Sequence, residues 1–284
     1  MDLLKQTKQL CSAYGIKPIR SRGQNFLIKE EIYDKIVAAS DLIKDDIVLE
    51  VGPGLGFLTA KLAKIAKRVV AVELDDKLAE ILTIGLKAQK VNNVEVVNRN
   101  ILDFGFLILD LNLKSAFQNL KYKIVANLPY NITSVFLRKF LSADEKPSMM
   151  VLMLQKEVAE RICASAGDMS LLAVSVQFYA DAGIISYVPK ENFWPRPEVD
   201  SAIVKLVARS KKYEVEEKKL FQLVKIGFSA RRKMLKNNLA AGFRISNMEA
   251  ENRIINAGFS QNCRAQELAV EDWLKLLPYF IEKT

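Results

Sequence analysis

Ile47-Val48-Leu49-Glu50-Val51-Gly52-Pro53-Gly54-Leu55-Gly56 is the stretch on which the fold turns. Its first five residues, apolar but for one acid, predict a short strand, and Phe57 to Ala66 follows with helical spacing. A strand running straight into a helix needs one glycine at most to make the turn. Three within five residues, Gly52, Gly54 and Gly56, predict a binding loop, because glycine lets the backbone turn tightly and approach a ligand at the helix N-terminus. An adenosine-type ligand suits such a loop. The spacing is not that of the dinucleotide fingerprint, whose third small residue serves a pyrophosphate.

Working outward, Val69 to Glu73 predicts a second strand and Asp75 to Leu86 its helix. Glu73 ends that strand ~20 residues beyond the glycine loop, where an acid can accept both hydroxyls of a ribose. Further strands are expected at Val94 to Val97, Lys123 to Ala126, Met149 to Leu154, Ile184 to Val188 and Ala202 to Val207. The last two are joined by the Pro-rich loop from Pro189 to Pro197, so they read as an antiparallel hairpin at the sheet edge. The fold class is α/β, a Rossmann-like sheet that is mostly parallel. Ahead of it, Leu3 to Tyr14 predicts a helix, then a basic loop through Arg20 and Arg22 to Gln24. After Arg209 the strand signals stop. Leu220 to Gly227, Arg231 to Ala241, Met248 to Ala257 and Ala265 to Leu277 have helical spacing. Two domains are expected, 1–209 carrying the sheet and 210–284 entirely helical.

Forty-two Lys and Arg against 33 Asp and Glu leave a formal charge of +9, which favours a polyanionic partner. The chain has no histidine. Histidine triads, histidine metal sites and imidazole bases are therefore excluded. Cys11, Cys163 and Cys263 are too scattered for a disulfide framework or a zinc site, and no metal is expected. No apolar run reaches the ~18 residues of a membrane span, and the first residues lack the layout of a secretion signal. The expected compartment is the cytoplasm, with no membrane association and no obligate protein partner.

Asn127-Leu128-Pro129-Tyr130 follows the fourth strand. It resembles the N-[LI]-P-[YF] motif of amino methyltransferases that act on adenine, and it falls at a strand end, where ligands of such sheets bind. Gly23-Gln24-Asn25-Phe26-Leu27 and Phe193-Trp194-Pro195-Arg196-Pro197-Glu198-Val199-Asp200-Ser201 extend the likeness, as does Phe228 to Leu239. Over nearly its whole length the chain resembles the KsgA family of small-subunit rRNA adenine dimethyltransferases, related to the Erm large-subunit enzymes. The resemblance implies a class I methyltransferase sheet with S-adenosyl-L-methionine as cofactor and small-subunit rRNA, within a pre-ribosomal particle, as partner.

It also implies roles. Gln24, Asn25 and Leu27 would meet the methionine part of the cofactor, Gly52 and Gly54 would form the loop contact, and Glu73 with Leu74 would hold the ribose. Asn100 and Ile101 would hold the adenine. The family usually has Asp at the Asn100 position; an amide oxygen still accepts a hydrogen bond, weaker by ~1 kcal/mol. Asp103 is a second choice. In catalysis, the Asn127 side-chain oxygen and the Leu128 carbonyl would accept the two hydrogens of the target amine, with Pro129 shaping the turn. Tyr130 and Phe193 would hold the unstacked base. Arg20 and Arg22, and Arg231, Arg232, Lys233 and Lys236, would follow phosphates; a solvated helix face accounts for the second group nearly as well. The rival readings are an Erm-type enzyme, an RNA-binding assembly factor and a nicotinamide oxidoreductase, the last lacking any acid, base or metal suited to hydride chemistry.

Overall fold

A computed structural model describes residues 2–18, 23–103, 122–209 and 213–281. Its elements run α1 (Leu3–Ala13), β1 (Phe26–Leu27), α2 (Glu30–Ala39), β2 (Ile47–Val51), α3 (Phe57–Ala63), β3 (Arg68–Glu73), α4 (Asp76–Ala88) and β4 (Val94–Asn98). They continue with β5 (Tyr122–Asn127), α5 (Thr133–Leu141), β6 (Met149–Gln155), α6 (Lys156–Ile162), α7 (Leu171–Gln177), β7 (Ala180–Val188), β8 (Phe193–Trp194) and β9 (Ser201–Ala208). Four further helices follow, α8 (Glu217–Gly227), α9 (Leu235–Phe243), α10 (Asn247–Asn256) and α11 (Val270–Phe280).

Every residue of β2 is buried, as expected of a strand covered on both faces by helices. The seven-stranded sheet has the order β4-β3-β2-β5-β6-β9-β7. From β4 to β6 all neighbours are parallel, and β9 pairs antiparallel with β6. The two late strands do lie together at one edge, with β9 inside and β7 outermost. Chain progression reverses between β2 and β5, so the loops leaving these strands part to opposite sides and open a crevice at their carboxyl ends. Register completes the arrangement: Val51 lies beside both Val72 and Ala126, which brings Gly52, Glu73 and Asn127 to one end of the sheet.

The Pro-rich segment is more ordered than a loop. Phe193 and Trp194 form β8, which leaves the main sheet to pair antiparallel with Leu27 and Phe26 of β1. Leu27 and Phe193 both belong to the buried core built on α2 and the sheet. Two apolar residues directly opposite each other in register thus tie the segment before the sheet to the segment near its end.

Contacts divide the chain into one unit of residues 1–159 with 181–208 and a second of 160–180 with 209–284. The sequence placed a single division after Arg209; the structure moves 160–180 into the helical unit. The reason is apolar burial: Met169, Ala173, Val174 and Phe178 belong to the same core as Leu220, Leu223, Leu239 and Trp273. Gly227 has no side chain because a Cβ there would fall 2.3 Å from the Trp273 ring. The helix expected from Arg231 begins only at Leu235. Asn238 is the cause, since its buried amide donates to the carbonyls of Gly227 (2.6 Å) and Ala230 (3.1 Å) and holds residues 231–234 in a turn. The helix expected from Ala265 is a short 3-10 turn there and an α-helix from Val270.

Candidate active site

The glycine loop is fixed from β3. Gly52 N donates to the Val72 carbonyl (2.9 Å), and Gly54 N donates to Glu73 Oε2 (3.0 Å). Asp75 N donates to Glu73 Oε1 (3.0 Å). Gly52, Gly54 and Gly56 all adopt positive φ, and a Cβ on Gly56 would meet Leu82 at 2.5 Å, so larger residues are barred there. Burial pushes the Glu73 carboxyl above its ordinary value, and the Asp75 and Gly54 amides pull it back. Each of its oxygens holds one backbone N–H and keeps a further lone pair. Two fixed acceptors side by side fit a vicinal diol.

The cleft above this loop is lined by Gly52, Gly54, Glu73 and Leu74 on one side and by Gln24, Asn25 and Leu27 on the other. Asn127 and Pro129 close it at the β5 end. Gln24 Nε2 donates to Asp75 Oδ2 (3.3 Å), joining the two walls. The Asn127 amide nitrogen donates to the Asn25 carbonyl (3.5 Å), which leaves the Asn127 oxygen as the acceptor for a ligand. Leu128 is buried, its N–H given to the Met153 carbonyl (3.3 Å).

Next to this cleft is a second cavity of about 300 Å³, lined by Tyr130, Asn131, Gln155, Arg196, Pro197 and Val199 among others. The Tyr130 hydroxyl is paired with Ser201 Oγ (2.7 Å), which fixes its ring; burial raises its pKa. Gly23 and Asn25 line both cavities. Gly23, at φ +68°, would place a Cβ 3.5 Å from Pro129, so the two spaces are divided by little more than backbone. A pocket walled by Tyr130 and the glycine-loop cleft therefore share the wall formed by Gly23 and Asn25, with Asn127 on the cleft side.

Not every expected residue joins them. Phe193 is 3% exposed within the core, pairs with Leu27 and lines neither cavity. Asn100 is exposed, and its side-chain oxygen accepts from Leu102 N (2.9 Å), capping the turn at Ile101–Asp103. Ile101 is buried, and neither residue lines the cleft. Arg20 and Arg22 lie outside the described residues. Arg231, Arg232 and Lys233 are exposed on their turn, whereas Lys236 is engaged by Glu251 (2.5 Å). Sequence reasoning passed over Tyr33, Phe57, Asp75 and above all Glu50, which line the cleft. The signal for Glu50 was present, as the single polar residue in Ile47 to Val51.

The family profile described as ribosomal RNA adenine dimethylase matches residues 17–282. The chain belongs to this family. Among its relatives is a Ribosomal RNA small subunit methyltransferase A of Dehalococcoides mccartyi, 43% identical over 283 residues, covering 99% of this chain and 94% of the relative. A protein of the same name from Clostridioides difficile is 38% identical over 271 residues, covering 94% and 92%. Of solved structures, a dimethyladenosine transferase from Plasmodium falciparum aligns with TM-score 0.73 at 28% identity, over 90% of this chain and 97% of that one. The 23S rRNA methyltransferase ErmE aligns with TM-score 0.70 at 25% identity, over 90% and 99%. The protein is thus an rRNA adenine methyltransferase.

Proposed function

We propose that this adenine dimethylase uses S-adenosylmethionine to methylate the exocyclic amines of adjacent adenines in small-subunit rRNA, on an assembling ribosomal particle in the cytoplasm. The observation that carries the proposal is the adjacency of the two cavities, which share Gly23 and Asn25, with Asn127 lining the first and Tyr130 the second. The residues fit the cofactor: Glu73 offers paired acceptors to a ribose, and the positive-φ glycines leave open backbone beside it. S-adenosylmethionine bound there supplies an electrophilic methyl group.

The amine of adenine is a poor nucleophile because its lone pair is drawn into the ring. Asn127 Oδ1 accepts one amine hydrogen, and the Leu128 carbonyl is assigned the other, which favours a pyramidal nitrogen. The Tyr130 ring, anchored through Ser201, supports the unstacked base in the second cavity. Rate then comes from orientation and preset dipoles, with no need for a histidine base. Relatives named for the small subunit favour that RNA over the large-subunit RNA named for ErmE. The test is transfer of labelled methyl from S-adenosylmethionine to small-subunit particles and, separately, to large-subunit RNA, with mass mapping of the product. Dimethyladenosine confined to small-subunit RNA is expected; labelling only of large-subunit RNA would overturn the assignment.

A further inference from the structure

Three residues with side-chain amides line the second cavity: Asn25, Asn131 and Gln155. Asn25 gives its amide nitrogen to the Gly23 carbonyl (3.4 Å), and Asn131 is exposed at the rim. Gln155, the last residue of β6, is half-buried, and its side chain has no hydrogen-bond partner among the described residues. A sheltered amide with both ends unsatisfied is poised for a ligand that offers it a partner.

Strand alternation shows where that amide stands. Val125, Val151, Met153 and Ile203 pack into one core on the α2 side of the sheet. Side chains return to the same face every second residue, so Asn127 on β5, Gln155 on β6 and Ser201 on β9 share this face just beyond the apolar core. Gln155 is the register partner of Ser201, whose hydroxyl anchors Tyr130 (2.7 Å), and Met153 is the partner of Asn127. A strand separation of ~4.8 Å and a rise of ~3.3 Å per residue then put the Asn127 and Gln155 Cα atoms about 8 Å apart, room for one edge of a purine between two amides.

We propose that Gln155 is a specificity-determining residue that reads the ring of the target adenine: its amide N–H donates to a ring nitrogen flanking the amine that Asn127 receives. This rests on the reading of the second cavity as the seat of the flipped base. N1 and N7 lie on either side of the amine, and adenine presents a lone pair at both, whereas guanine carries a hydrogen on N1. A site built to donate there rejects a base that lacks the acceptor, because the amide is then left unpaired.

Single-turnover methyl transfer by the full-length protein to small-subunit RNA carrying adenosine, 1-deazaadenosine or 7-deazaadenosine at the target positions tests this. One of the two deaza bases should react about ten-fold more slowly than adenosine, the scale of one hydrogen bond, and which one it is assigns N1 or N7. Gln155→Met and Gln155→Glu keep the length of the side chain and remove the donor. Each should slow transfer to adenosine by about ten-fold and remove most of the difference between adenosine and the sensitive deaza base. S-adenosylmethionine titration should leave both variants at wild-type affinity, since Gln155 does not line the cofactor cleft. Equal sensitivity to the deaza bases in wild type and variants, or full activity of Gln155→Glu, overturns the inference and leaves the methyltransferase reading standing. Loss of cofactor binding in both variants marks Gln155 as structural and overturns it too. No transfer by the wild-type protein to unsubstituted RNA overturns the reading of the site itself.

Discussion

The crevice loops of the sheet unit and the basic turn of the helical unit are both marked by short runs of sequence, yet they are built on opposite plans. In the crevice, main chain holds the groups at the strand ends: Gly54 and Asp75 amides on Glu73, the Asn25 carbonyl on Asn127, the Met153 carbonyl on Leu128. In the turn, Arg231, Arg232 and Lys233 are exposed, and only Lys236 nearby is held, by Glu251. A fixed dipole in a sheltered cleft acts on one atom of a ligand, and removing it leaves a defined vacancy. Exposed cations on long stems act on a polyanion collectively and are screened by salt. The first plan serves chemistry; the second serves attraction.

If that contrast holds, the largest loss should come from Asn127. Asn127→Ala is expected to lower single-turnover methyl transfer by ~100-fold or more, the scale for one preset polar group, while RNA affinity stays near wild type. Parallel transfer and RNA-binding assays decide it, and near-normal turnover would remove Asn127 from the reaction.

Glu73 comes next. Glu73→Ala should weaken S-adenosylmethionine binding by ~2–3 kcal/mol, the scale for two hydrogen bonds to a charged group, read by equilibrium titration. The same substitution strips Gly54 and Asp75 of their acceptor. Glu73→Gln keeps one acceptor oxygen and should fall between the two.

Glu50 sharpens the comparison within the crevice, because its carboxyl oxygens, unlike those of Glu73, accept no backbone N–H among the described residues. Its carboxyl is raised to about 8 when folded, so in the empty protein its favourable share of stability is full below the unfolded value near pH 4.5 and is lost as pH rises toward 8. Glu50→Gln should therefore be more stable than wild type at pH 8, by something on the order of 1–3 kcal/mol, and level with it near pH 5. Denaturant melts at the two pH values measure this. A variant less stable at both would show that Glu50 has a structural partner.

The smallest effect is expected from the turn. Arg231→Ala with Arg232→Ala should leave cofactor binding unchanged and flatten the salt dependence of RNA binding by about one to two units of slope. An unaltered slope would return these arginines to the role of a solvated surface, and a loss of more than ~100-fold at one salt concentration would erase the contrast between the two regions.

The alternation of apolar runs from Ile47 onward was enough to specify the parallel sheet, because strand and helix periodicities are local properties of the chain. The same holds for the glycine loop, the acid at Glu73 and the motif at Asn127, each of which sits where a strand ends. Those strand ends meet in one place only because chain order reverses between β2 and β5, and that reversal is a matter of long-range pairing. Tertiary structure alone decided the rest. Phe193 reads as a mouth aromatic until its register with Leu27 turns it into core. Asn100 reads as a ligand for adenine, and the structure adds that its oxygen caps the next turn. Arg231 reads as helix until Asn238 claims the carbonyls of Gly227 and Ala230. Glu50 reads as one acid in an apolar strand, and only the tertiary structure shows it buried, with both carboxyl oxygens outside any hydrogen bond of the described residues. Composition and spacing determine which groups a segment can offer; whether a group faces solvent, core or ligand depends on neighbours brought from elsewhere in the chain.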